Sequence, residues 1–150
     1  MLTGETASFV LSGVLDDSDP IILMGDFNDE PFNRSMQEYL QGTRDRGRVT
    51  AAQSVPRVWN LMWPLLSDVH PGTYRFGSVW NMLDQFLVSK GALRQSSRIK
   101  PKPGTTEVVR LSAVQGSTGR PRAFGRPSKQ NLDQSGFSDH FPIAVVLEAN

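Results

Sequence analysis

A carboxylate and an amide stand two residues apart, just after a short apolar run, in the segment Gly25-Asp26-Phe27-Asn28. In extended backbone, side chains at i and i+2 point the same way, so Asp26 and Asn28 are expected to face one ligand. A glycine just before them lets the main chain approach that ligand closely. Because Asp and Asn also favour turns, the segment alone fits an ordinary loop as well as it fits a site.

Two further acidic positions carry potential chemistry. Asp139 precedes His140 directly, and an acid beside a histidine can supply a metal ligand together with a proton-handling or charge-stabilising group, although many such pairs are structural. Asp84 lies in the apolar run Met82–Val88, where a carboxylate is costly to bury without a partner. Asp84 either faces solvent on an edge strand or accepts a hydrogen bond from His140 and orients its imidazole.

The elements that must position these residues follow from the apolar pattern. Ile21–Met24 is a short apolar run that predicts a strand buried on both faces, with a polar loop at its C-terminal end. Further strands are predicted at Thr73–Phe76 and Met82–Val88, joined by a turn near Gly77-Ser78, and at Val108–Val114 and Ile143–Leu147. Helices are predicted at Gly4–Asp16, at Met36–Leu40 and, ended by Pro64, at Val58–Trp63. This order predicts a mixed sheet covered by helices, an α/β or α+β layered arrangement.

The composition excludes several kinds of site and segment from this protein. At 150 residues the chain fits one domain, and it has no cysteine for disulfides or thiolate metal sites. No apolar run approaches the roughly 18 residues of a membrane-spanning helix, and no signal peptide is visible, so no membrane partner is expected. The compartment is left open, with the cytoplasm as the default. Arg94–Lys129 carries nine Lys or Arg and the single acid Glu107, which indicates either a solvated basic loop or a surface for a polyanion.

Three separated motifs, taken together, resemble a known family. Gly25-Asp26-Phe27-Asn28, Leu83-Asp84-Gln85-Phe86-Leu87-Val88-Ser89 and Gly136-Phe137-Ser138-Asp139-His140-Phe141-Pro142 occur in that order, with Thr73-Tyr74-Arg75-Phe76 ahead of the second. They are similar to the C-terminal signatures of the endonuclease/exonuclease/phosphatase family, which includes proteins like deoxyribonuclease I. The resemblance runs from about Ser12 to Leu147, and it is the order and spacing of the motifs that make it specific.

The resemblance implies half of a four-layer deoxyribonuclease I-like sandwich, with a mostly antiparallel mixed sheet and flanking helices. It implies hydrolysis of a phosphoester, in particular a phosphodiester, with nucleic acid among the candidate substrates and with Mg²⁺ or Mn²⁺ as cofactor. By motif, Asp26 would position or deprotonate the attacking water, and Asn28 would hold Asp26 and a phosphoryl oxygen. His140, oriented by Asp84, would stabilise charge on the phosphate, and Asp139 would lie next to the metal. Positioning and charge neutralisation are what phosphoryl transfer needs most.

The family pattern also includes an N-terminal half that supplies an asparagine and a glutamate, the glutamate being the principal metal ligand. Neither has a counterpart in this sequence, and Glu5 and Glu30 lack the family context. Residues 1–150 are therefore expected to be the C-terminal portion of a single domain whose N-terminal half is absent: a fragment, a truncated gene model or one piece of a larger protein. Activity of the chain alone is expected to be weak or absent.

Two other functions remain open. The chain fits a non-catalytic module that binds nucleic acid or another polyanion through Arg94–Lys129, with salt-sensitive affinity. It also fits a fragment with no independent function. Trp80, just before the strand of Asp84, is expected to line the substrate cleft, whereas Trp59 and Trp63 are expected to pack in the core.

Overall fold

A four-stranded sheet with strand order β1-β6-β3-β2 forms the centre of the structure. The computed structural model describes residues 18–51, 55–125, 130 and 132–149. The strands are β1 (Ile22–Asp26), β2 (Gly42–Thr43), β3 (Val58–Asn60) and β6 (Asp84–Val88). β6 pairs antiparallel with β1 and with β3, and β2 pairs parallel with β3. Consequently β1, β3 and β2 run in one direction and β6 runs against them.

Short antiparallel ladders surround this sheet in the described part of the chain. They pair β4 (Tyr74–Phe76) with β5 (Val79–Asn81), β7 (Ile99–Pro101) with β10 (Leu147–Ala149), and β8 (Glu107–Val108) with β9 (Ile143–Ala144). The α-helices α1 (Arg46–Thr50) and α2 (Lys90–Leu93) begin at Asp45 and Ser89, whose side chains accept hydrogen bonds from helix amides. Further helical turns, which are not α-helical, lie at Ser35–Tyr39, Trp63–Ser67 and Ser112–Val114.

The predicted fold class is confirmed, because strands in mostly antiparallel sheets are combined with few and short helices. β6 carries the core: Phe86 and Val88 pack into one apolar cluster and Leu87 into another. This alternation is the period of two expected of a strand covered on both faces. Within the described ranges, no helix has the length and apolar character needed to cross a bilayer.

The strand predicted at Ile21–Met24 is present as β1, but its burial on both faces was wrong. Ile22 and Leu23 are partly buried, whereas the side chain of Met24 is 72% exposed. β1 is the outer strand of its sheet, so only β6 covers one of its edges. An apolar run shows that a strand is compatible with burial and does not show what lies against it.

The prediction of a helix at Val58–Trp63 was wrong. Val58–Asn60 is β3, and the helical turn begins only at Trp63, with Pro64 in its first turn. Proline is tolerated there because the first amides of a helix need no partner within the helix. β-branched and aromatic residues favour a strand beside the central β6.

Several other boundaries also differ. The turn at Gly77-Ser78 joins β4 to β5, and β6 is a separate strand, so the predicted pairing of Thr73–Phe76 with Met82–Val88 was wrong. The run Val108–Val114 is a strand only at its start and ends in a helical turn. Ile143–Leu147 is divided between β9 and β10, which pair with different partners. A short helical turn is present at Ser35–Tyr39, and the helix predicted at Gly4–Asp16 lies outside the described residues.

Candidate active site

Asp26 and Asp84 lie directly opposite each other at one end of the central sheet. Asp26 is the last residue of β1 and Asp84 the first of β6, and the two are register partners in the antiparallel ladder. Like charges in directly opposed positions destabilise a sheet. This pair therefore costs stability unless a positive group lies between or beside the two carboxylates.

His140 supplies an imidazole at this position. Its Nδ1 lies 2.8 Å from Oδ2 of Asp84, and the two side chains retain 20% and 17% of their accessible surface. The ring of His140 packs against that of Tyr74 with centroids 4.8 Å apart, and the two residues also form a main-chain bridge. The predicted contact between Asp84 and His140 is thus present, and Asp84 holds the imidazole in one orientation.

The loop after Asp26 turns sharply at Asn28, whose φ is 56°. The extended backbone assumed from the sequence through Asn28 was therefore wrong. The main-chain N–H of Asn28 donates to Oδ1 of Asp26 at 2.8 Å, and both residues are exposed. Asn28 thus orients the carboxylate through its backbone, a contact typical of Asp in turns.

Thr73 joins the two sides of the pair, a role that the sequence did not reveal. Its side-chain oxygen accepts from the main-chain N–H of Asp84 at 3.3 Å, and its carbonyl accepts from the N–H of Phe141 at 2.8 Å. Thr73 is fully buried. One residue therefore links the start of β6 to the segment that carries His140.

A buried polar network fixes the loop of Asp26 to β6. Gln85, which is 0% exposed, donates through Nε2 to the carbonyls of Asp29 at 2.9 Å and Met82 at 2.7 Å. Its Oε1 accepts from Asn60 Nδ2 at 2.8 Å. The only sequence signal for this network was an amide inside an apolar strand.

Glu30 makes a second connection between the same loop and the strands behind it. Its carboxylate accepts from Asn81 Nδ2 at 2.8 Å and from the N–H of Met82 at 3.0 Å. The sequence had offered Glu30 no role as a metal ligand, and its oxygens are engaged in these two bonds. Glu30 therefore positions the loop.

Trp80 is stacked on Phe141, the residue that follows His140 in the chain. The two ring centroids are 5.9 Å apart, and the guanidinium of Arg110 lies 4.7 Å from the Trp80 centroid and 4.5 Å from that of Phe141. Arg110 also donates to the carbonyls of His70 and Gly72, each at 2.7 Å. Burial lowers the pKa of Arg110 from its usual value. The predicted contact of Trp80 with substrate remains a prediction.

The sequence also offered the basic segment Arg94–Lys129 as a binding surface and Asp139 as a residue next to the metal. Asp139 is exposed and lies outside the group formed by Asp26, Asp84 and His140. Arg120 donates to the carbonyl of Gly77, and Arg122 pairs with Asp133 at 3.0 Å. These arginines therefore hold loops in place, while Arg126 and Lys129 lie outside the described residues.

In the described ranges, Asp26, Asp84 and His140 each offer a ligand atom, and these atoms lie within 4.8 Å of one another. Two carboxylates and an imidazole at the end of a sheet are groups that can exchange protons or hold a metal ion. The chain belongs to the Endonuclease/Exonuclease/phosphatase family, whose model matches residues 7–149. The family resemblance of the motifs is thereby confirmed. Members of this family hydrolyse phosphoesters, generally with divalent metals. No curated protein and no solved structure matched the chain.

Proposed function

We propose that this chain carries the carboxylate and histidine part of the active site of a divalent-metal-dependent phosphodiester hydrolase. The observation that supports the proposal most is the placement of Asp26 opposite Asp84, with His140 2.8 Å from the second carboxylate. Opposed carboxylates are unfavourable by themselves and favourable around a cation. Asp84 is engaged by His140, whereas Asp26 is exposed to solvent.

The donor set fits Mg²⁺ or Mn²⁺ in part. Mg²⁺ prefers oxygen ligands at about 2.1 Å, so two ligands on opposite sides of the ion lie about 4.2 Å apart. The carboxylates of Asp26 and Asp84 belong to a group whose ligand atoms lie within 4.8 Å of one another, which is close to this spacing. When bound, the cation would neutralise charge on the phosphoryl oxygens. Asp139 is exposed and precedes His140 in the chain, and we propose that it lies next to the ion.

The roles of the side chains follow from their contacts. Asp26 is exposed, and Asn28 holds one of its oxygens, which leaves the other to orient a water and accept its proton. As that water attacks phosphorus, the bond to the leaving oxygen breaks, and the leaving oxygen takes up a proton from solvent. Asp84 engages Nδ1 of His140, so Nε2 remains to donate to a phosphoryl oxygen. Asn28 and Trp80 complete the proposal as substrate-binding residues.

We further propose that residues 1–150 are the C-terminal portion of a single domain whose other half supplies the glutamate ligand. Two observations support this proposal. The three-residue group offers only two carboxylates, and Met24 on the outer strand β1 is 72% exposed. β1 is also the outer strand of its sheet in the described part of the chain, and a further strand of the same domain can pair with such an edge.

Hydrolysis of bis(p-nitrophenyl) phosphate by the natural full-length protein tests the proposed activity. We expect turnover with Mg²⁺ or Mn²⁺, none with EDTA, and a loss of at least about 100-fold in Asp26→Asn and in His140→Asn. Glu107→Gln is the matched control and should keep full activity, because Glu107 is exposed on β8. Absence of metal-dependent turnover in the full-length protein, or full activity in Asp26→Asn, would refute the proposal.

Two measurements test the cation and the domain separately from turnover. Mn²⁺ should selectively broaden the NMR signals of Asp26, Asp84 and His140, and Asp26→Asn should reduce that broadening. The intact mass of the natural protein decides the domain proposal, because a mass that corresponds to residues 1–150 alone would contradict it.

A further inference from the structure

A pocket of about 380 Å³ lies beside the outer strand β2, between the helical turn Ser35–Tyr39 and the start of α1. Of the described residues that line it, three are arginines: Arg44, Arg48 and Arg57. They come from the end of β2, from α1 and from the residue before β3, so the tertiary fold brings their side chains to one cavity. None of these residues belongs to the group of Asp26, Asp84 and His140.

One acid, Asp45, also lines the pocket. Oδ1 of Asp45 accepts from the N–H groups of Gly47 at 2.8 Å and Arg48 at 3.4 Å, which caps α1. The described lining therefore presents three guanidinium groups against one carboxylate. Guanidinium groups bind the oxygens of phosphates through paired N–H donors, and several of them around one cavity attract an oxyanion strongly.

The pocket is separate from the catalytic group. Thr43 pairs with Trp59, and Trp59 pairs with Val88, so Arg44 lies level with about Leu87 and three residues from Asp84 along β6. Two strand spacings give about 10 Å across the sheet and three residues give about 10 Å along it, so the two Cα atoms are about 14 Å apart. The residues that line the pocket and the three residues of the catalytic group also do not overlap.

We propose that this arginine pocket binds a phosphate group, at a site distinct from the catalytic group. The volume exceeds the roughly 30 Å³ of one water many times, so the pocket accommodates a phosphate together with hydration water. The proposal stands independently of the hydrolytic activity, because it rests on the charge and shape of a different part of the sheet.

Titration with inorganic phosphate, and separately with pyrophosphate, at constant ionic strength tests the site by NMR. The signals of Arg44, Arg48 and Arg57 should shift on a common binding curve. We expect Arg44→Gln and Arg57→Gln to weaken the affinity about tenfold each, because each removes charge-assisted hydrogen bonds. Arg44→Lys should be intermediate, since it keeps the charge and loses the paired donors.

The matched control is Arg34→Gln. Arg34 is exposed, pairs with Glu38 and does not line the pocket, so this variant should bind phosphate as the wild type does. The fold should tolerate Arg44→Gln because Trp59 Nε1 donates to the main-chain carbonyl of Arg44, and a melting curve checks this. Equal phosphate affinity in Arg44→Gln, Arg57→Gln and wild type would overturn the proposal.

A His140→Asn variant separates the two sites. If phosphate binding survives in His140→Asn and is weakened in Arg44→Gln, the pocket is the binding site. Phosphate binding that is lost in His140→Asn and kept in Arg44→Gln would overturn the pocket and place the anion at the catalytic group. The outcome for the pocket is thus distinct from the outcome for the proposed hydrolysis.

Discussion

Replacement of Gln85 by methionine tests the buried network that ties the loop of Asp26 to β6. Methionine has a similar length and no strong hydrogen-bonding group, so Gln85→Met removes three bonds, at 2.9, 2.7 and 2.8 Å, with little change in packing. The carbonyls of Asp29 and Met82 and the Nδ2 donor of Asn60 lose their partner. Each buried polar group left without a partner costs about 1–3 kcal/mol.

The lower end of that range applies because the carbonyl of Asp29 is only partly buried and water can reach it in the variant. Three groups at about 1 kcal/mol each give a loss of about 3 kcal/mol in the free energy of unfolding. With a urea m-value of about 2 kcal/mol/M, the midpoint should fall by about 1.5 M. This is a large share of the roughly 5–15 kcal/mol that stabilises a typical domain.

Urea unfolding followed by circular dichroism measures the change. Gln37→Met is the matched control, because Gln37 is exposed and donates a single bond, to the carbonyl of Phe32. It should change the free energy of unfolding by no more than about 0.5 kcal/mol. Hydrogen exchange at the amide of Asn28 should also accelerate in Gln85→Met, because the loop loses its tether. Equal midpoints for Gln85→Met and Gln37→Met at an unchanged m-value would refute the reasoning.

The remaining predictions concern the site and the loops around it. Asp84→Asn should lower kcat about 100-fold or more with little change in KM, because His140 loses the carboxylate that orients it; an unchanged kcat in steady-state assays would contradict this. Arg110→Lys loses two hydrogen bonds to carbonyls and should cost about 2 kcal/mol, seen as a fall of about 4–8 °C in Tm. Hydrogen bonds from Ser135 and Arg122 lower the pKa of Asp133 to about 2. The ionised carboxylate of Asp133 therefore stabilises the fold. This contribution is fully present above the ordinary pKa of an aspartate, and it is lost as the pH falls towards 2. An NMR titration should place the midpoint near 2 and find it raised in Ser135→Ala.

Some of the local structure was readable from the sequence because it depends on neighbouring residues. The strand before Asp26, the turn at Gly77-Ser78 and the apolar alternation of β6 all follow from short-range patterns. The prediction for Val58–Trp63 failed because a short apolar and aromatic segment has no period long enough to distinguish a strand from a helix. Pairing with β6, in which Trp59 lies opposite Val88 and Asn60 opposite Leu87, decided the outcome.

In the candidate site, too, some features were predictable from the sequence and others depended on the tertiary structure. The residue types and the order of the three motifs determined the family and named Asp26, Asp84 and His140 as candidates. Their proximity required the tertiary structure, because the two partners of the central contact are 56 residues apart in the chain. The sequence determines which side chains are available for chemistry. Which of them meet, and what covers or exposes them, depends on strand pairing between distant segments, as the positions of Gln85 and Thr73 show.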